Sequence, residues 1–296
     1  MNYSISVLLL AVFLASSGPA VDQDHKYLKQ KTPGLVPEKF APGLITLPDE
    51  YEFGSVFNAA GTEFFYGVDL NGKSEIRYSK LEGEQWTAPK VILSSDKHGY
   101  NDPFLSPDEQ RLYFISERSG EGYGGYDIWY VEKTADGWSK DINAGPNINS
   151  ERNEYYISFT KEGTMYFSSN KNAPEGRDGN FDIYYSESKD GEFQEAVVLG
   201  DAINTSRYEA DVFIDPDEEY IIFCGNRKEG MGRGDLYIAF KQTDGSWSQA
   251  QNMGAPINSD KHELCPYVTN DGKYFMYTSN MDLYWVSTEI FEQYRP

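Results

Sequence analysis

The side chains best suited to chemistry gather between Asn101 and Ser139. Asn101-Asp102-Pro103 offers a carboxylate of the kind a general base needs, and Tyr126-Asp127-Ile128-Trp129 offers another. A glycine-rich loop, 119–125, lies between them. Asp69-Leu-Asn-Gly-Lys-Ser-Glu75 also carries acids, but it lacks the length and third-acid spacing of a calcium loop and reads as a polar turn. His25, His98 and His262 are too scattered for a zinc triad, and Cys224 and Cys265 have no metal-site spacing. No nucleophile elbow, P-loop or dinucleotide fingerprint occurs.

Copies of Asp127 change its meaning. Asp-(Ile/Leu)-Tyr recurs at Asp182, Asp235 and Asp282, with a degenerate copy at Glu75, at a period of about 50 residues. An aromatic residue opening a polar stretch keeps the same period at Phe40, Trp86, Trp138, Phe193 and Trp247. A catalytic acid is needed once, whereas a turn-capping aspartate is needed in every repeat. Asp102 has a counterpart too, in Asp211.

Each repeat parses by alternation into four short strands. In the second repeat, strand a is expected near 103–106, strand b over 111–115, strand c over 127–131, and strand d from Trp138 onward. The turns between a and b (58–61, 106–110, 160–163, 215–218, 269–272) are rich in the Asp, Asn, Gly and Pro that hairpins require. Four antiparallel strands repeated radially make a β-propeller blade. The last repeat ends after strand c, and 39–47 forms a strand d with nothing before it. The expectation is an all-β, five-bladed β-propeller over 39–296, its ring closed by the N-terminal strand completing the last blade. A six-bladed ring is the alternative.

Several motifs carry a resemblance. Pro103-Phe-Leu-Ser-Pro-Asp108, Leu112-Tyr-Phe-Ile-Ser-Glu-Arg118 and Gly145-Pro-Asn-Ile-Asn149 resemble the WD40-like propeller repeat of TolB and other bacterial envelope proteins. The third motif recurs at 200–204 and 254–258, and the likeness spans nearly the whole chain after residue 38. It implies a noncatalytic docking surface, although fold does not fix function. Asn101-Asp102-Pro103 also resembles the first blade of arabinanase-type five-bladed glycoside hydrolases, where such an aspartate acts as base. That alternative, like a calcium-dependent propeller hydrolase, requires unique groups facing the channel.

Antiparallel order sends a–b and c–d turns to one end of the ring, and the long b–c loops and d–a links to the other. Long, unequal loops on a rigid scaffold are where binding residues sit. The expected binding residues on that face are Arg118, Tyr123, Lys171, Arg177, Arg227, Arg233 and Tyr100. Glu52, Glu154, Glu209 and Glu263 take matched places at the start of strand a, with Tyr100 in the second blade. They are expected at the channel mouth, as a site for a cation such as Ca2+ or for a partner's basic residue. The bland reading pairs them with their neighbours Arg152, Arg207 and Lys261. No catalytic residue, cofactor or bound metal is assigned.

Composition sets the remaining bounds. With 39% hydrophobic residues, 23 Tyr, 17 Phe and 27 Gly, strands and tight turns are favoured over helices. A formal net charge of -21 argues against nucleic acid and anionic membranes as partners. Residues 1–20, with the apolar run 5–15 followed by small residues, read as a secretory signal peptide, and 21–38 as a flexible leader. The expectation is a secreted or periplasmic chain, not inserted in the membrane after cleavage, that docks a protein or a cell-envelope glycan. Cys224 and Cys265 read as buried thiols, with a bridge between them as the alternative.

Overall fold

The computed structural model describes residues 26–296; the expected signal peptide and the start of the expected leader lie outside them. Short, largely buried apolar runs make five antiparallel blades, each ordered a-b-c-d, beside one small separate hairpin, Ser188–Lys189 with Glu192–Phe193. The first blade is built from Tyr51–Phe57, Glu63–Asp69, Ser74–Glu82 and Lys90–Leu93. The second uses Asn101–Leu105, Arg111–Glu117, Tyr126–Thr134 and Ile142–Asn143. Glu154–Phe159, Met165–Ser169, Asp182–Ser186 and Val197–Val198 form the third. Tyr208–Ile214, Tyr220–Asn226, Asp235–Phe240 and Gln251–Asn252 form the fourth. The fifth has Glu263–Val268, Tyr274–Ser279 and Asp282–Ser287, with Glu38–Lys39 as its outermost strand. Neighbouring a strands pack on one another around the ring, so strand a is innermost. The chain is a five-bladed propeller, and the six-bladed alternative is set aside.

The outer strands differ from expectation. Trp86 and Trp138 do not open strand d; they end short hairpin extensions of strand c, Gln85–Trp86 and Gly137–Trp138. The next residue explains the break. Its hydroxyl takes a strand c N–H: Lys80 N donates to Thr87 Oγ1 (3.1 Å), Glu132 N to Ser139 Oγ (2.9 Å), and Phe240 N to Ser248 Oγ (3.0 Å). A side chain replaces a backbone acceptor, the ladder is interrupted, and strand d starts afresh several residues on.

The N-terminal strand is likewise shorter than 39–47. Glu38 pairs with Trp285 and Lys39 with Tyr284, and Phe40 N still donates to Leu283 O (2.8 Å). Beyond that point Ala41 and Gly43, at φ 44° and 82°, turn the chain away. Within the expected leader, Tyr27 and Leu28 are anchored on the ring. Both are buried, and the Tyr27 ring packs edge-on against Phe57 (5.3 Å) and Tyr274 (5.1 Å). An aromatic residue beside an exposed aromatic ring gains more by burial than a short segment loses in freedom.

The Gly-x-x-Ile-Asn motif has a definite task. Asn149 Oδ1 accepts from Ile128 N (2.8 Å), and its amide donates to Ile128 O (2.9 Å). Asn204 does the same to Ile183, and Asn258 to Leu236. A side-chain amide thus supplies both ladder bonds where strand d is too short to do so.

Phe40 is fully buried against Phe57, Phe64 and Trp285. Phe40→Ala is expected to cost about 3–5 kcal/mol. Urea unfolding followed by tryptophan fluorescence measures this; a loss below 1 kcal/mol would show that the N-terminal strand contributes little to the ring.

Candidate functional site at the propeller axis

Every inner strand shifts register once, at a β-bulge. One residue of each bulge has a left-handed backbone: Gly54 (φ 45°), Asp102 (49°), Tyr156 (48°), Asp211 (51°) and Cys265 (53°). Glycine takes this conformation freely and aspartate tolerates it, whereas tyrosine and cysteine hold it at a cost of about 1–3 kcal/mol. Such strain persists only where the surroundings impose it.

Bonds across the ring put these residues at its centre. Tyr156 Oη donates to Pro266 O (2.9 Å), and Cys265 Sγ donates to Asp102 Oδ1 (3.5 Å). Blades three and five are not neighbours, nor are blades five and two, so both bonds span the axis. Tyr156 is 2% exposed and Cys265 2%, and both pack with Phe53. A Cβ on Gly54 would lie 2.7 Å from Asp102 Oδ1, so glycine is what gives that carboxyl room. The axis is plugged at this level.

Burial also sets the charge state. Asp102 is pushed up to about 7 by loss of solvent. Asp211 is pushed up to about 8 by burial and then by the negative charge of Asp102. Burial raises the Cys265 thiol as well, so it is no thiolate nucleophile. The pair therefore retains protons into the neutral range, with Asp211 the one that keeps its proton to higher pH.

The four matched glutamates do not form an open collar. Each is fully buried. Glu154 accepts from Ser150 N and Oγ and from Ser169 Oγ (3.1, 2.6 and 2.7 Å). Glu263 repeats the pattern with Ser259 and Ser279, while Glu209 takes Thr205 and the Arg227 guanidinium (3.1 Å). The expected neighbour pairs are absent from this arrangement: Arg152 pairs with Asp178 and Lys261 with Asp260. A buried carboxylate is better satisfied by fixed hydroxyls and N–H groups than by a flexible surface cation. Glu52 is the exception. It accepts from Leu47 N (3.0 Å), its other oxygen has no hydrogen-bond partner, and burial pushes it up to about 7.

The basic residues after strand b are held inside their blades rather than offered to a partner. Arg118 stacks over Trp129 (4.2 Å), Lys171 over Tyr184 (4.5 Å) and Arg227 over Tyr237 (4.5 Å). Arg118 also pairs with Asp141 (2.7 Å), and Tyr100 Oη donates to the same carboxylate (2.9 Å), which explains the tyrosine in the second blade. These are cation–π contacts repeated with the fold. Tyr123, Arg177 and Arg233 are exposed on the long loops. Asp127 and Asp235 cap those loops: Asp127 accepts from Tyr123 N and Gly124 N, and Asp235 from Met231 N and Gly232 N. Tight caps turn the tips outward, leaving Leu70, Tyr123, Met231 and Met281 as exposed apolar side chains on one face.

Among the described residues, no three His, Cys, Asp or Glu side chains converge to hold a metal ion. No helix there is long and apolar enough to cross a membrane. Sequence reading singled out Asp102 and matched it to Asp211, but missed the ring of bulge residues. Each lies two positions after the Glu52/Tyr100/Glu154/Glu209/Glu263 set, and that spacing was the available signal.

The axial acids make a pH prediction with a definite sign. The unfolded carboxyls release protons near pH 4, the folded ones near 7 and 8, so between those values the folded state binds more protons and stability falls as pH rises. Asp211→Asn keeps the left-handed backbone and removes the charge. It is expected to gain about 5 kcal/mol over wild type at pH 9 and almost nothing at pH 4, read by thermal unfolding across that range. A gain independent of pH would refute the assignment.

No protein-family model matches the chain, and no curated protein matches its sequence. Solved structures do match its shape. A thermostable family-43 glycoside hydrolase aligns over 81% of this chain and 91% of its own, with TM-score 0.54 and 15% identity. TolB from Acinetobacter baumannii aligns over 80% of this chain with TM-score 0.50 and 14% identity. The present chain spans 54% of that TolB chain, about half its length. The likeness is one of fold: the chain is a five-bladed β-propeller of the kind found in TolB-like and glycoside hydrolase structures.

Proposed function

We propose that this chain is an exported, noncatalytic binding propeller that docks a protein on its long-loop face. The observation that carries the first part is the axial plug. An arabinanase-type hydrolase needs two or three carboxyl groups around a space that admits a sugar and a water. Here the Tyr156 ring crosses the axis to bond Pro266 O, beside Asp102 and Asp211. The glutamates that would add a further acid are fully buried, held by hydroxyls at Glu154 and Glu263, by Thr205 and Arg227 at Glu209, and by Leu47 N at Glu52.

The docking surface is supported by Leu70, Tyr123, Met231 and Met281, exposed on the b–c loops of four blades, and by Arg177 and Arg233, exposed on b–c loops of the third and fourth. Apolar groups rimmed by polar ones are a mark of protein–protein contact surfaces. A glycan surface relies on exposed rings for stacking, and this set contains one ring, Tyr123. Export rests on residues 1–20, and an envelope setting agrees with the likeness to TolB. Calcium is not part of this reading.

Two measurements test it. Cross-linking in the native host followed by mass spectrometry is expected to place the partner on 119–125 and 227–234. Tyr123→Ser with Met231→Ser is expected to weaken that partner's binding at least tenfold with unfolding unchanged. Incubation with arabinan and xylan oligosaccharides is expected to give no product. Product release that Asp102→Asn abolishes would replace this reading with the hydrolase.

A further inference from the structure

The opposite face, made of the short a–b turns, holds a cavity that the proposed docking surface does not use. It lies on the axis beneath the plug, has a volume of about 240 Å³, and draws its lining from all five blades. Its walls are aromatic: Phe57, Phe104, Phe159, Phe213 and Tyr267. The rings hold one another in place, with Phe104 6.1 Å from both Phe159 and Tyr267, and Phe213 6.1 Å from Tyr267. Tyr267 is fixed further by its hydroxyl, which accepts from Phe57 N (3.2 Å). The socket is therefore preformed.

Size and surroundings narrow the occupant. An apolar cavity of about 150 Å³ takes benzene, so this one accepts a side chain up to an indole, below the roughly 300–1,000 Å³ of sites for whole small molecules. It is not closed off. Ser106, Pro107, Phe159 and Lys161 also line a groove of about 560 Å³ that runs outward between blades two and three. A socket for one side chain continuing into an open groove suits a polypeptide segment. The turns around it carry Asp108, Glu109, Glu162, Asp217, Glu218 and Asp271 against Lys161, paired with Asp217, and Lys273, paired with Asp271, while Arg111 and Lys133 line the outer groove with Asp108, Glu132 and Glu162. The whole chain has a formal net charge of -21. That field favours a cationic segment and repels an acidic one.

We propose that the a–b turn face is a second binding site, taking a basic polypeptide segment anchored by one aromatic side chain in the axial socket. The backbone of that segment leaves along the groove between blades two and three, and its lysines or arginines face the turn acids. The long-loop face plays no part, so the two surfaces can be occupied together.

The test uses the full chain and a fluorescein-labelled peptide, Lys-Lys-Trp-Lys-Lys, followed by fluorescence polarisation at about 0.1 M salt. Saturable binding is expected, weakened at least tenfold when the tryptophan of the peptide becomes alanine and abolished when its lysines become glutamates. On the protein, Ala59→Trp overhangs the socket from an exposed position, and Glu109→Lys reverses a rim charge; each is expected to weaken binding tenfold with unfolding unchanged. Tyr123→Ser with Met231→Ser on the other face is expected to leave it unaltered, which separates this site from the proposed docking surface. Equal binding of the tryptophan and alanine peptides reduces the effect to charge alone and overturns the proposal. So does N-acetyl-tryptophanamide binding as tightly as the peptide, which would make the socket a small-molecule pocket. So does no binding at all.

Discussion

Five times around the ring, an inner strand turns its backbone into the left-handed region at the same level. The rest of the molecule follows from that constraint. A straight inner strand would alternate evenly and leave a polar stripe along the axis. The bulge slips the register by one, so the residues above it and those below it present different chemistry to the centre. Above are the buried glutamates and their hydroxyl partners; at the bulge, two buried aspartates, a tyrosine and a thiol; below, an aromatic layer. The strain at Tyr156 and Cys265 is held by bonds that reach across the axis, so no single blade relaxes it alone.

Repetition and its exceptions have different physical origins. Glu154, Glu209 and Glu263 each follow a serine or threonine four residues earlier, whose N–H and hydroxyl both point at the carboxylate. Glu52 has Pro48 at that place, with no N–H and no hydroxyl, and Val68 across the ladder where the third and fifth blades have serine. The carboxyl is left half-satisfied, and its pKa rises accordingly. In the second blade the glutamate is gone altogether, and Tyr100, Arg118 and Asp141 rebuild a buried polar contact from other parts. The departures are local solutions to one burial problem, since an unpaired buried charge is costly.

Much of this was legible in the sequence because it repeats. The Asp-Ile-Tyr marker and the a–b turn residues located strands b and c in every blade, and the count of five followed. What could not be read was contact between blades. Nothing in the order of residues says that Tyr156 and Pro266 meet, since that depends on closing a ring. The basic residues Arg118, Lys171 and Arg227 looked like a docking set because charge suggests exposure. Their aromatic partners Trp129, Tyr184 and Tyr237 follow at nearly constant intervals of their own, and the pairing is visible only once strands b and c lie side by side. Strand d was misplaced for a smaller reason: a hydroxyl after the aromatic residue competes for the strand c N–H.

The amide bonds of Asn149, Asn204 and Asn258 have a consequence for how the chain can be cut. Each asparagine lies in the link leading into one blade but finishes the edge of the blade before it. Sequence modules and spatial modules are therefore out of phase by six residues, the distance from the end of strand d to the asparagine. A circular permutant opened between strand d and the asparagine would strip one blade of its two edge bonds while leaving every strand in place. One opened just past the asparagine would leave each blade whole. The natural joint between repeats lies after the asparagine, not after the fourth strand.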